Sequence, residues 1–356
     1  MKVSIITAAL NNRDTIEDSI LSVLSQKYDD IEYIVVDGGS TDGTVEVIRK
    51  YASDTPLAPL DRGEYLKGRG ISQWVSEPDG GIYHALNKGL KMATGDVIGC
   101  FGLTEPYFGS NPTGMITRAD RVSGGYRLNG VKRWITNGTL ADVAVVWAKL
   151  DGDVRGFLVD KGTKGFTSVK ISDKWSLRAS VTAELFLEDC VVPEDAILPD
   201  VRGMKGPLSC LSQARYGICW GVIGAAIDSY EVALSYAKER KQFSRPIAGY
   251  QLVQRKLADM VTEITKAQCL TLRLGRLKEA KKHRPAQISL AKRNNVSMAL
   301  DIARMARDIL GGNGIMYAYS PGRHMLNLET VYTYEGTHDI HTLIIGQDVT
   351  GIAAFE

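Results

Sequence analysis

The period of the apolar positions changes twice along the chain. Residues 3–10 are an apolar run suited to a buried strand, and Ile16, Ile20, Val23 and Leu24 follow at helical spacing. Asp14 is placed to cap that helix, and Glu17, three positions on, would complete a capping box. A second apolar run, Ile34-Val35-Val36, leads into the tight loop Asp37-Gly38-Gly39-Ser40-Thr41-Asp42-Gly43 and then a helix through Val45 and Ile48. Beyond a polar stretch with Pro and Gly over residues 52–70 come residues 74–79, and the pattern then predicts a helix near 82–93 and a strand at Val97-Ile98-Gly99. Strands alternating with helices predict a doubly wound α/β layer, whose ligands sit at the carboxyl ends of the strands.

From about residue 100 the period is two. Tyr126-Arg127-Leu128-Asn129 and residues 143–150 alternate, punctuated by Asn129-Gly130, Asn137-Gly138 and Asp151-Gly152. This predicts a β-sandwich or barrel. From about residue 206 the helical period returns in three stripes: Ile223, Ile227, Tyr230 and Leu234; Val253, Leu257, Met260 and Ile264; Met298, Ile302, Met305 and Ile309, the last ended by Gly311-Gly312-Asn313-Gly314. Long helices with one apolar face each predict a helical bundle. The chain therefore reads as three domains, 1–99, 100–203 and 204–356, with a seam near Cys100.

Composition adds exclusions. Among 356 residues, 44% are hydrophobic and 24% charged, an ordinary globular balance, and a net charge of +2 gives no reason to expect nucleic acid or an acidic membrane as partner. The five cysteines are scattered without a C-x-x-C pair, which argues against a disulfide framework or zinc site and for a reducing compartment. The first apolar run is short, β-rich and broken by Asn11-Asn12-Arg13-Asp14, so it reads as a strand and not a signal peptide. No run approaches the roughly 20 apolar residues of a membrane span. A cytoplasmic protein without membrane partners is the expectation.

Candidate chemistry lies in Tyr334-Glu335-Gly336-Thr337-His338-Asp339, although a lone Glu in a turn is usually solvated. The segment does not stand alone. Phe101-Gly102-Leu103-Thr104-Glu105-Pro106-Tyr107-Phe108-Gly109-Ser110, Trp134-Ile135-Thr136-Asn137, Arg240-Lys241-Gln242-Phe243 with Gln251, and Ile309-Leu310-Gly311-Gly312-Asn313-Gly314 precede it. In order and spacing these blocks resemble the acyl-CoA dehydrogenase family over essentially all of residues 100–356. Lys174-Trp175-Ser176-Leu177-Arg178-Ala179-Ser180-Val181-Thr182, Ala214-Arg215-Tyr216-Gly217-Ile218 and Thr333 to His341 look most like its glutaryl-CoA branch.

The resemblance implies FAD-dependent α,β-dehydrogenation of an acyl-CoA thioester. In the glutaryl branch decarboxylation to crotonyl-CoA follows, and electron-transfer flavoprotein is the usual acceptor. Glu335 would take the α-proton. Trp134 would pack on the flavin, Thr136 would lie near its N5, and Phe101, Leu103 and Thr104 would line the ring. Ser110 would sit near the pyrophosphate or the CoA arm. Arg240, Phe243, Gln251, Gly311, Gly312, Thr337 and Asp339 would hold the dinucleotide, partly across an interface of a homotetramer. Ser212, Arg215, Tyr334 and Gly336 would meet the acyl-CoA. Each has a plainer reading. Trp134 and Phe101 would serve equally as β-domain core, Arg215 and Arg240 as solvated helix faces, and Gly311-Gly312 as a helix cap. His338 and His341 lie three apart, but no third ligand is evident, so no metal is expected.

Residues 3–99 resemble instead glycosyltransferase family 2, with a GT-A fold. The matching stretches are Ser4-Ile5-Ile6-Thr7, 11–25, 33–44 and 74–98. This resemblance assigns Asp37 and Asp79 to a nucleotide sugar. The Asp-x-Asp motif that the family places after such a strand is replaced by Cys100-Phe101-Gly102-Leu103-Thr104. The dehydrogenase resemblance in turn implies a helical domain ahead of residue 100, and residues 1–99 carry no such pattern. The expectation is a fusion or truncation of two coding segments near residue 100, with dehydrogenase activity impaired by the missing domain. The alternatives are a nucleotide-sugar glycosyltransferase relic and a non-catalytic flavin- or CoA-binding fusion.

Overall fold

The computed structural model describes residues 2–26, 30–52, 70–78, 85, 88–89, 92–94 and 98–354. The chain divides into two compact units, one of residues 1–100 with 140–143 and 179–181, the other of residues 101–139, 144–178 and 182–356.

In the first unit β1 (Val3–Ala9), β2 (Ile31–Asp37) and β3 (Gln73–Ser76) form a parallel sheet in that order, with Val3 opposite Ile31 and Ile34 opposite Gln73. Within β2, residues 33–36 form an apolar run because both faces of the strand are covered there. Tyr33 and Val35 pack with Ile16, Ile20 and Leu24 of α1 (Arg13–Leu24) and Ile48 of α2 (Thr44–Lys50), while Ile34 and Val36 pack with Ala85. The expected capping box is absent. The helix starts one residue before Asp14, its N-cap is Asn12 without a side-chain cap bond, and Glu17 bonds Lys50 Nζ at 2.6 Å and Tyr51 Oη at 2.5 Å. The long partners on α2 draw Glu17 away from the helix terminus. Of the expected helix near 82–93, the described residues 85, 88, 89 and 92 are helical, and Val97 lies outside the described residues.

Of the strand expected at 97–99 to close the α/β layer, only Gly99 is in a strand, β4 (Gly99–Gly102), among the described residues. It joins β5 (Arg118–Val122), β6 (Gly125–Thr136), β7 (Val143–Leu150), β9 (Phe166–Lys170) and β10 (Thr182–Pro193) in the order β4-β7-β5-β6-β10-β9, with β8 (Asp153–Asp160) paired to β7. The barrel or sandwich expectation thus resolves into one curled sheet. A β-bulge marks β6, where β10 pairing passes from Ile135–Ala183 to Lys132–Leu185. Two residues, Arg133 and Trp134, then oppose Glu184 alone, an arrangement that re-aims a side chain.

Five helices follow: α3 (Lys205–Glu239), α4 (Gln251–Glu279), α5 (Pro285–Ile309), α6 (Ser320–Thr333) and α7 (His338–Thr350). The expected apolar stripes lie in or beside one core, but α3 and α5 share it largely through small residues. Ala226, Ala233 and Ala237 of α3 and Ala299, Ala303 and Ala306 of α5 are all buried in that core. Helix α3 is also long and apolar enough, by length and composition, to cross a bilayer, contrary to the expectation from apolar runs. Part of that apolarity is this buried alanine face. Leu177 N donates to Asn327 Oδ1 at 2.8 Å and Ser176 Oγ bonds Thr330 Oγ1, tying the loop before β10 to α6.

Candidate active site

Helix α6 ends at Thr333, and Tyr334 leaves it in an extended conformation with ψ 171°. Glu335 and Gly336 then take left-handed backbone angles, φ +54° and +88°, before Thr337 caps α7 by accepting from Ile340 N at 3.1 Å. Only a glycine suits position 336. A Cβ there would lie 2.8 Å from His341 Nε2 and 3.3 Å from Arg215 Nη2. Glu335 is not a glycine, so its angle is a strained one that the surroundings must enforce.

Those surroundings are three side chains from three helices, Lys292 and His341 buried and Arg215 half-buried. Arg215 Nε of α3 donates to Glu335 O at 2.8 Å, and His341 Nε2 of α7 lies 3.2 Å from the same oxygen. Lys292 Nζ of α5 donates to Val331 O, Tyr334 O and Gly336 O at 2.8, 3.0 and 2.9 Å. The Glu335 carboxyl itself points elsewhere: its Oε2 is buried without a hydrogen-bond partner. Burial raises the Glu335 carboxyl above the usual carboxylate range, opposed by the charges of Arg215 and Lys292. Burial also pushes His341 down to about 3, so this imidazole is neutral and its Nδ1 is buried without a partner. His338 stacks on Tyr332 with ring centroids 4.3 Å apart. Among the described residues no group of three or more His, Cys, Asp or Glu is placed to hold a metal ion.

The structure brings together Glu335, Gly336, Tyr334 and Arg215; Ser212 lies three residues before Arg215 on α3, its Oγ bonded to Leu208 O at 2.9 Å. Arg215 therefore acts on the turn that carries Glu335, and no CoA contact is needed to explain it. On the sheet, the bulge holds Trp134 at φ +62° with its ring 54% exposed and the Arg133 guanidinium 5.2 Å from the ring centre; Thr136 is exposed two residues on. Thr104 is fixed through its carbonyl, which accepts from Arg133 N at 2.8 Å. The side chains of Phe101, half-buried, and Leu103 pack with Met115, Trp147 and Val154 inside the β domain. Ser110, Arg240, Phe243, Gln251, Gly311, Gly312 and Asp339 are exposed, and Thr337 is occupied as the α7 cap. Phe243 and Ser244 have positive φ, at +48° and +65°, in the turn between β11 (Lys241–Gln242) and β12 (Arg245–Pro246). A cavity lined by Glu263, Arg293, Met298, Asp301, Met305 and His338 does not include Glu335.

Asp37 differs from expectation. It is fully buried, and its carboxylate accepts from Gly39 N, Ser40 N, Ser40 Oγ and Ser76 Oγ at 3.1, 2.9, 2.5 and 2.6 Å. Its acceptors are spent on its own loop and on β3, not presented to a nucleoside. Asp79 lies outside the described residues. Sequence reasoning missed Lys292 and the buried Lys132–Glu105 pair. The signal for Lys292 was a lysine at the second position of the stripe Ile288, Lys292, Asn295, Ala299, where a solvated residue would not be.

Three family models match successive stretches of the chain. Residues 100–190 match the model for the acyl-CoA dehydrogenase middle domain, residues 201–350 that for the acyl-CoA dehydrogenase C-terminal domain, and residues 4–102 that for glycosyl transferase family 2. The crystal structure of glutaryl-CoA dehydrogenase from Mycobacterium smegmatis is similar at 53% identity and a TM-score of 0.73, over 78% of this chain and 72% of that one, as is the same protein in complex with FADH2. Isovaleryl-CoA dehydrogenase from Solanum tuberosum is 34% identical over 73% of this chain, and human short-chain specific acyl-CoA dehydrogenase 37% over 71%. The chain spans 64% and 63% of the lengths of those two relatives.

Proposed function

The chain belongs to the acyl-CoA dehydrogenase family, and on that premise we propose that residues 101–356 carry out FAD-dependent α,β-dehydrogenation of an acyl-CoA thioester, with Glu335 as the base. The observation that carries the proposal is the Glu335 carboxyl: its Oε2 is buried without a hydrogen-bond partner, while Arg215 and His341 meet the backbone carbonyl of the same residue, which is held at a strained angle. A carboxylate raised by burial is a stronger base toward an α-proton than a solvated one. The positive charges of Arg215 and Lys292 oppose that rise and favour the charged form of the carboxyl.

The residues on the sheet fit a flavin. Trp134 offers an aromatic face bared to solvent by a strained bulge, and Thr136 a hydroxyl on the same side of β6. When bound, FAD supplies the acceptor for the β-hydride. What the chain does is set the geometry around it. The Lys132 bond to Leu103 O at 3.2 Å and the Arg133 N bond to Thr104 O fix the segment that leads to Ser110, and Trp134 and Thr136 would orient the ring. The N–H of Glu335 would be one donor to the thioester oxygen as enolate charge develops there. The acyl chain we propose is glutaryl, with loss of CO2 to crotonyl-CoA, on the strength of the 53% identity to the mycobacterial enzyme. Electron-transfer flavoprotein as acceptor, a homo-oligomeric state and a cytoplasmic setting belong to the same proposal.

The test is the visible spectrum of the purified protein with and without anaerobic glutaryl-CoA. Bleaching of a bound flavin supports dehydrogenation, and Glu335→Gln then lowers the bleaching rate about 10²–10⁴-fold. A colourless protein that binds no added FAD sinks the proposal.

A further inference from the structure

We infer that Lys292 is a positioning residue for Glu335, clamping the backbone on both sides of that carboxylate and setting the charge it faces. The inference deepens the reading of Glu335 as a base and rests on it.

Lys292 is 1% exposed, a lysine inside the bundle on the stripe that buries Ile288, Asn295 and Ala299. Its three N–H bonds go to Val331 O, Tyr334 O and Gly336 O. The first two oxygens belong to the end of α6, where carbonyls lack intrahelical partners and the helix dipole favours a cation. A helix cap needs no more than these. The third bond passes beyond the helix to the far side of Glu335, and it is the one that marks the lysine as a clamp of the turn. With the half-buried Arg215 on Glu335 O, three successive carbonyls, 334, 335 and 336, are each held by a cationic side chain from another helix. That grip accounts for a non-glycine residue at φ +54°.

The groups that face the turn are Arg215 and Cys219 on α3, Lys292 on α5, and His338, Asp339 and His341 on α7. Burial pushes the Cys219 thiol up to about 12 and His341 down to about 3, so both are neutral. Arg215 and Lys292 are the cations acting on the Glu335 carboxyl. Removing Lys292 therefore removes one of two charges that favour the carboxylate, and loosens its backbone.

The test titrates the Glu335 carboxyl by infrared spectroscopy on the full-length protein, with Glu335→Gln identifying its band. In Lys292→Met the carboxyl should titrate about 1 pH unit or more above wild type, and kcat/KM for the acyl-CoA should fall about 100-fold. Lys292→Gln, which keeps a donor without the charge, should show the same direction if the methionine variant does not fold. Lys292→Arg should keep the titration near the wild-type pH. A carboxyl that titrates unchanged in folded Lys292→Met or Lys292→Gln overturns the inference. The infrared readout needs no turnover, so a shifted titration in a protein that is inactive as wild type leaves the clamp standing and removes the dehydrogenase reading instead.

Discussion

His341 shows how a residue can look like chemistry and act as structure. It is fully buried, its Nε2 lies 3.2 Å from Glu335 O, and its Nδ1 has no partner, so the neutral tautomer protonated at Nε2 fits the site. Its folded pKa, about 3, lies below the ordinary imidazole value. A depressed histidine contributes its full stability above the unfolded pKa and loses it as pH falls from about 6.5 toward the folded value, by up to about 1.4 kcal/mol per pH unit. His341→Gln keeps an amide donor but cannot take up the proton. We expect the variant to be about 1 kcal/mol less stable than wild type at neutral pH and to close or reverse that gap near pH 5. Thermal midpoints of both proteins across that range check it, and a gap independent of pH would refute the buried neutral imidazole. The sequence showed the pair His338 and His341 but not this role, because spacing along α7 says nothing of which helix ends meet there. Lys292 was hidden for the same reason, since its partners are backbone oxygens 39 to 44 positions away.

At the scale of the elements, the apolar periods were legible and the polar fixtures between them were not. The stripes on α4 and α5 and the alternation through β6 and β7 map onto the observed core, since burial of one face is what a period records. The capping box failed because Glu17 found partners on α2, a tertiary contact that no local motif contains. Another such fixture, on the strand that carries Trp134, is the ion pair of Lys132 and Glu105, 2.9 Å apart and almost wholly buried. Burial works against the Glu105 charge, but backbone donors from Ile116 and Thr117 and the Lys132 ammonium hold its carboxyl below the usual range. Lys132→Met would leave that charge buried without its counterion and release Leu103 O. It should cost about 3–5 kcal/mol. Adding Glu105→Gln should recover part of the loss, because the uncompensated charge is then gone. Denaturant unfolding of the two variants decides this, and a double variant less stable than Lys132→Met alone would show that the pair is not the source of the cost.

For the whole molecule, the division at residue 100 was legible because two patterns with different periods meet there, and the matches to two family models meet at the same place. Each unit also has its own buried clusters: Ile16, Ile20, Tyr33 and Ile48 in one, Ala226, Met260, Ala299 and Ile302 in the other. A chain with separate cores need not unfold in a single step, and a ligand that binds one folded unit stabilises that unit by mass action. All the residues assigned here to FAD lie in the second unit. Calorimetry of the full-length protein should therefore show two transitions. FAD at about 100 times its dissociation constant should raise one of them by about 2.7 kcal/mol and leave the other in place. The moved transition is identified by Lys132→Met, which lowers the same one. A single transition that FAD raises as a whole would mean that residues 1–100 unfold together with the second unit, and the segment that matches the glycosyl transferase model would then count toward the stability of that unit.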